Sequence, residues 1–216
     1  MEKQKPYNPP EEGLARDINR GRPGVHIVFF PSVKNSRVII CESQLEADFC
    51  QLLEFDPDVV SYIPQPVTIS LWIDGLIRDY TPDFQVSYKL RPDAYFEVKP
   101  ATVTSWDEYM KLMRHVEQHF AEKEQEFTLM LDSEIRKEPY LGNLKFLYSK
   151  IHRVSKNESA YLLELMRRLG GEAVYEELLE MEGAPTIGAI AKAVFERKIE
   201  LDITKSFDHE TMLRLI

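Results

Sequence analysis

The sequence predicts an α/β fold, a mixed sheet flanked by helices and followed by a small winged-helix-like C-terminal domain. Between residues 25 and 100, short apolar runs such as "VHIVFF", "VVSYI" and "VTISLWI" are separated by Pro, Gly, Asn and Asp, the pattern of strands bounded by turns. Two longer amphipathic stretches, 43–57 and 105–125, interrupt and follow these runs, as helices that cover a sheet do. From residue 155 the texture changes to short helical segments and one further strand, an order that resembles a winged-helix module.

The bulk properties set the limits. The chain has 216 residues, of which 44% are hydrophobic and 29% charged, ordinary values for a globular protein. No apolar run approaches the roughly 18 residues of a membrane span. The first ten residues, "MEKQKPYNPP", are polar and proline-rich, unlike a secretory leader. Cys41 and Cys50 are the only cysteines, too few for a disulfide framework, so a reducing cytoplasm is the expected compartment. The net charge of −9 argues against tight nucleic-acid binding by charge alone. Yet residues 1–41 hold seven Lys or Arg against four acids. A basic arm on an acidic body suggests contact with phosphates or an acidic partner, a solvated tail being the alternative.

Three units are expected: a loosely attached arm over 1–24, punctuated by Pro6, Pro9, Pro10, Gly21 and Pro23; an α/β domain over 25–152; and the C-terminal domain over 153–216. "VHIVFF" and "SRVIIC" read as paired strands. "SQLEADFCQLLEFDP" reads as a helix, with Ser43 as cap, Glu46 closing a capping box, and Leu45, Phe49 and Leu52 on one core stripe. "VVSYI", "VTISLWI" and "LIRDY" follow as strands, with Asp74–Gly75 as the tight turn between the last two. A hairpin over 82–99 leads to a helix over 105–125 and a buried strand, "FTLML". "YLGNLKFLYSKIHR" reads as helical. Next come a helix capped by Ser155 and Glu158 and ending at Gly170–Gly171, a helix over "EAVYEELLEME", a helix capped by Thr186, and the strand "IELDI".

The hairpin carries the chemistry. With 82–88 and 94–99 antiparallel and the turn centred on Arg91, Asp83 opposes Lys99 and Gln85 opposes Glu97. Alternation then puts Asp83, Glu97 and Lys99 on one face, and Phe84, Val86, Tyr88, Phe96 and Val98 on the other. A sheet with one wet side gives the same alternation without function. Against that, Asp and Glu are poor strand formers, and the set is chemically coherent. Two carboxylates suit Mg²⁺, which takes few protein oxygens and keeps several waters. A lysine beside them can orient or deprotonate such a water, or neutralise developing phosphate charge.

Pro82–Asp83 followed by Glu97–Val98–Lys99 resembles the PD-(D/E)xK nuclease motif. More narrowly, "FFPSVKNSRVIICESQLEADFCQLLEFDPDVVSYIPQPVTI" followed by "YTPDF" and "EVKP" resembles the TnsA endonuclease subunit of heteromeric bacterial transposases, over residues 25 to about 150. The remainder resembles that family's C-terminal winged-helix domain more loosely. The resemblance implies a restriction-endonuclease-like sheet and cleavage of the 5′ ends of a transposon. A partner transposase would cut and join the 3′ ends, and an AAA+ regulatory ATPase would bind through the C-terminal domain. By position, Glu46, Asp83 and Glu97 become the acidic ligands of Mg²⁺ (or Mn²⁺), Lys99 the catalytic lysine, and the Val98 carbonyl a further ligand. Some members carry Gln where this chain has Glu97.

Other readings stand beside this one. Glu46 serves equally well as a capping residue, and the two roles are compatible. Gln65, in a "QP" that also matches the family, has no physical role evident from sequence. His115 and His119 have metal-ligand spacing but no third partner. Residues 151–216 hold nine basic and twelve acidic residues, which favours protein docking over DNA reading there. The alternative functions are a non-catalytic adaptor between transposase and ATPase, and a stand-alone restriction or repair nuclease. The acidic body speaks against the last.

Overall fold

The computed structural model describes residues 26–102 and 106–216; the expected basic arm over 1–24 lies outside the described residues. Strands β1 (Val28–Ser32) and β2 (Arg37–Cys41) form an antiparallel pair. Helix α1 (Gln44–Phe55) starts at Ser43, whose side chain accepts the Glu46 N–H. Nearly every side of α1 is covered. Leu45, Ala47, Phe49, Cys50, Leu53 and Phe55 are buried, Leu52 packs at the margin, and the acids Glu46, Asp48 and Glu54 are buried as well.

Buried carboxylates cost several kcal/mol unless paired or hydrogen-bonded, and Asp48 and Glu54 have such partners. Asp48 meets Arg136 and Lys145, each at 2.7 Å. Burial alone would push its carboxyl up, but hydrogen bonds from Lys145, Gln44 and Arg136 hold it below the usual range. Glu54 accepts from Ser32, from Tyr62 at 2.8 Å and from the Lys34 N–H. Cations also close the carboxyl end of α1, where they offset the negative end of the helix dipole. Arg197 donates to the Phe55 carbonyl at 2.6 Å, and Lys34 donates to the carbonyls of Asp56 and Val59.

After α1 come β3 (Val59–Pro64), the hairpin strands β4 (Ile69–Ile73) and β5 (Leu76–Tyr80), β6 (Phe84–Tyr88), β7 (Ala94–Lys99), α2 (Trp106–Ala121) and β8 (Glu126–Leu131). The main sheet has the order β3-β6-β7-β8. Its first three strands are antiparallel, and α2 carries the chain across so that β8 runs parallel to β7. The β4–β5 turn places Asp74 and Gly75 at φ 52 and 79, the left-handed pair that a two-residue hairpin turn requires.

Helix α1 covers the face bearing Phe84 and Phe96; Phe49 lies 5.6 and 5.3 Å from their ring centres. The second face is covered too, which corrects the picture of a sheet with one wet side. Ile69, Leu71 and Ile73 of the β4–β5 hairpin pack there with Tyr95 and with Met113, Val116 and Phe120 of α2. Strand β8, expected to be buried, is half-buried because it forms the sheet edge.

The hairpin register differs from the expected one. The pairs are Phe84↔Phe96, Gln85↔Tyr95 and Val86↔Ala94, so one step further out Asp83 falls opposite Glu97, not Lys99. The loop is held asymmetrically: Gln85 donates to Asp93 at 2.7 Å, and Arg91 stacks 3.5 Å from the Tyr88 ring centre. The shift is two residues, so every side chain keeps its face.

The rest of the chain forms α3 (Asp132–Ile135), α4 (Tyr140–Tyr148), a 3₁₀ turn (Ile151–Arg153), α5 (Lys156–Arg168), β9 (Glu172–Val174), α6 (Tyr175–Glu180), α7 (Ile187–Phe195), β10 (Ile199–Glu200) and β11 (Met212–Leu215). The capping box of Ser155 and Glu158 is present. The segment expected as one helix over "EAVYEELLEME" is instead β9 followed by α6, and β11 was not expected. The three strands pair in the order β10-β11-β9. The apolar cluster around α1 continues without a break into Leu162, Met166, Leu178, Ile190, Val194 and Leu213. Architecture is therefore mixed α/β, and no helix among the described residues is long and apolar enough to cross a membrane.

Candidate functional site

Strand β7 places Glu97 and Lys99 on the face that α2 covers. Glu97 is only 4% exposed. Its Oε2 accepts from the Tyr80 hydroxyl at 2.7 Å, and its Oε1 accepts from the Tyr109 hydroxyl at 2.9 Å and from Lys99 Nζ at 3.2 Å. Tyr80 ends β5 and Tyr109 sits in the second turn of α2, so two elements flanking the sheet grip one carboxylate. Burial first, then the Glu97 charge, hold both phenols well above their usual pKa, and both remain donors.

Asp83 stands just ahead of β6. Its Oδ2 accepts the Val98 N–H at 2.8 Å, and its own carbonyl accepts the Gln65 N–H at 2.9 Å. The strand ends of β3, β6 and β7 thus meet at Asp83, and Val98 enters the site through its N–H. Glu46 lies on the first turn of α1. One of its oxygens accepts the Glu42 N–H at 2.8 Å and the other accepts the Ser43 hydroxyl at 2.9 Å. Its carboxylate therefore closes the start of α1, reaching Glu42 where a strict capping box would take the Ser43 N–H.

The electrostatics tie these groups together. Burial pushes the Asp83 carboxyl well above its usual range; the charges of Glu97 and Glu46 add to this, and the Val98 N–H and Lys99 oppose it. Burial also raises Glu46, against the hydrogen bonds from Glu42 and Ser43 and with the charges of Glu42 and Glu97. Burial would lower Lys99, but Glu97, Asp83 and Glu46 outweigh it and keep the ammonium firmly charged. Three acids short of positive charge surround one lysine, the condition that a divalent cation relieves.

The carboxylates do not converge on a point. Among the described residues, no group of three or more His, Cys, Asp and Glu is placed to hold a metal ion. The layering explains it. Glu46 belongs to the helix over the Phe84–Phe96 face, whereas Glu97 projects from the opposite face, and Asp83 sits at the strand end between them. The donor chemistry nevertheless fits a hard cation: carboxylate oxygens, with a buried amide oxygen of Gln65 that has no hydrogen-bond partner. His115 and His119 take no part in such a group among the described residues; His119 packs edge-on against Phe120.

Tyr80 and Tyr109 were not singled out from sequence. A signal existed for Tyr109: with Met113, Val116 and Phe120 it continues the stripe by which α2 meets the sheet.

No protein-family model matches the chain, and no curated protein sequence matches it.

Proposed function

We propose that this chain is a Mg²⁺-dependent DNA endonuclease that cuts the 5′ ends of a transposon beside a partner transposase. One observation carries the reading: one step beyond the Phe84↔Phe96 pair Asp83 falls opposite the buried Glu97, Lys99 follows two residues on, and one lysine stands among the three acids Glu46, Asp83 and Glu97. The frame supports it. A helix, three antiparallel strands interrupted by the β4–β5 hairpin, a second helix and a parallel fourth strand match the parts of a restriction-endonuclease-like domain. The segment β9-α6-α7-β10-β11, with its middle strand last in sequence, supports a winged-helix-like C-terminal domain that docks an AAA+ ATPase.

Bound Mg²⁺ would polarise the scissile phosphate and supply an activated water. Glu46, Asp83 and Glu97 would hold it. The chain's own residues define the rest. Lys99 is a charged donor, so it stabilises developing phosphate charge or orients the water, and it does not act as the base. Tyr80 and Tyr109 fix the Glu97 carboxylate, and the Val98 N–H fixes that of Asp83.

A non-catalytic adaptor is the second reading, favoured by Glu46 and Glu97 having partners on both carboxylate oxygens and by the absence of a closed ligand cluster among the described residues. Strand-specific nicking of DNA bearing the transposon end, with Mg²⁺ and with and without the partner transposase, separates the two. Cleavage of the 5′-ended strand that disappears in Asp83→Ala supports the enzyme; parental cleavage in that variant supports the adaptor.

A further inference from the structure

Gln65 is the unexplained residue next to this site. It is 2% exposed, and its side-chain oxygen is buried with no hydrogen-bond partner. Its backbone has φ 46, left-handed for a residue that is neither Gly nor Asn. It follows Pro64, which pairs with Phe84, and its N–H bonds the Asp83 carbonyl at 2.9 Å. Gln65 is therefore the neighbour of Asp83 across the β3–β6 pair. Two costs coincide at one position, a strained backbone and an orphaned acceptor. The backbone bond explains where residue 65 sits. It does not explain a buried amide, since any residue but proline supplies that N–H.

We propose that the Gln65 side-chain oxygen is a further ligand of the cation at Asp83, directly or through one of the waters that Mg²⁺ retains. Amide oxygens are ordinary ligands of hard cations. This one is neutral, so it adds a donor without adding to the repulsion among Glu46, Asp83 and Glu97. It rests on the metal-dependent reading above.

The test uses the full chain, Mn²⁺ alone as probe, and two readouts besides activity: calorimetric Mn²⁺ affinity and melting temperature without metal. Gln65→Leu keeps the bulk and the N–H and pays a similar left-handed cost, but removes the oxygen. The metal-free variant should melt about 2–4 °C higher, because an unsatisfied buried acceptor is gone, while Mn²⁺ affinity falls tenfold or more. Gln65→Glu restores an oxygen and has no N–H to offer, so recovered affinity shows that oxygen is the atom used. Unchanged Mn²⁺ affinity in Gln65→Leu overturns the assignment while the metal-dependent reading survives. A lower melting temperature or loss of the fold in Gln65→Leu also overturns it, by showing that the amide has a structural partner. A parent chain that binds no Mn²⁺ removes the metal-dependent reading and this assignment together.

Discussion

The Tyr109 hydroxyl donates to Glu97 Oε1 at 2.9 Å, joining the helix that covers the sheet to the central carboxylate of the site. Tyr109→Phe deletes that donor and leaves a buried carboxylate with Tyr80 and Lys99. Hydrogen bonds to charged groups contribute about 1.5–3 kcal/mol, so melting should fall by several degrees. In Glu97→Gln the acceptor is no longer a charge, and Tyr109→Phe should cost clearly less there. Equal losses in the two backgrounds would show that the bond contributes nothing specific.

Asp83→Asn takes one carboxylate out of a mutually repelling set and keeps an oxygen for the Val98 N–H. The metal-free protein should melt as high as the parent or a few degrees higher; if the proposed site binds metal, Mn²⁺ should raise the melting temperature of the parent and not of this variant. A marked fall in metal-free stability would mean that Asp83 is structural.

Lys34 supplies a pH test away from the site. Burial lowers its pKa from 10.5 to about 8, against the charges of Glu54 and Asp56. The folded chain therefore releases this proton first, and between about pH 8 and 10.5 the unfolded chain holds more protons, so stability rises with pH in that window. Against Lys34→Met, the parent's stability should improve steadily from pH 8 to pH 10. A constant difference in melts across that range would refute it.

If the chain cuts only 5′-ended strands, the partner's 3′ chemistry needs neither Asp83 nor Lys99. Asp83→Ala and Lys99→Ala should keep 3′ joining while the 5′ strands stay attached to the donor. Replication across that product fuses donor and target, so insertion junctions should shift from simple insertions to cointegrates. Simple insertions at parental frequency would assign 5′ cutting to another component.

Local rules made much of this legible. Ser43, Ser155 and Thr186 cap helices, Asp74–Gly75 turns a hairpin, and parity alone placed Glu97 and Lys99 on one face of β7. What escaped depends on contacts distant in sequence. The hairpin register goes with side-chain contacts of its turn, Gln85 to Asp93 and Arg91 on Tyr88, which turn composition does not reveal. The tyrosine grip on Glu97 joins residues 12 and 17 positions away. Strand β9 is three residues long, too short for any alternation to register. The left-handed backbone of Gln65 has no signature, because Gly or Asn is the usual mark of that conformation.

Arg197 lies 4.0 Å from the Phe55 ring centre and bonds the Phe55 carbonyl, while Phe195 packs on the same ring at 5.3 Å. Phe55 ends α1, and Glu46 begins it. A 12-residue helix is a rod about 18 Å long, gripped at one end by the C-terminal helices and bearing an acid of the site at the other. A protein bound to those helices would hold the far end of that rod, a single stiff element that also carries Glu46.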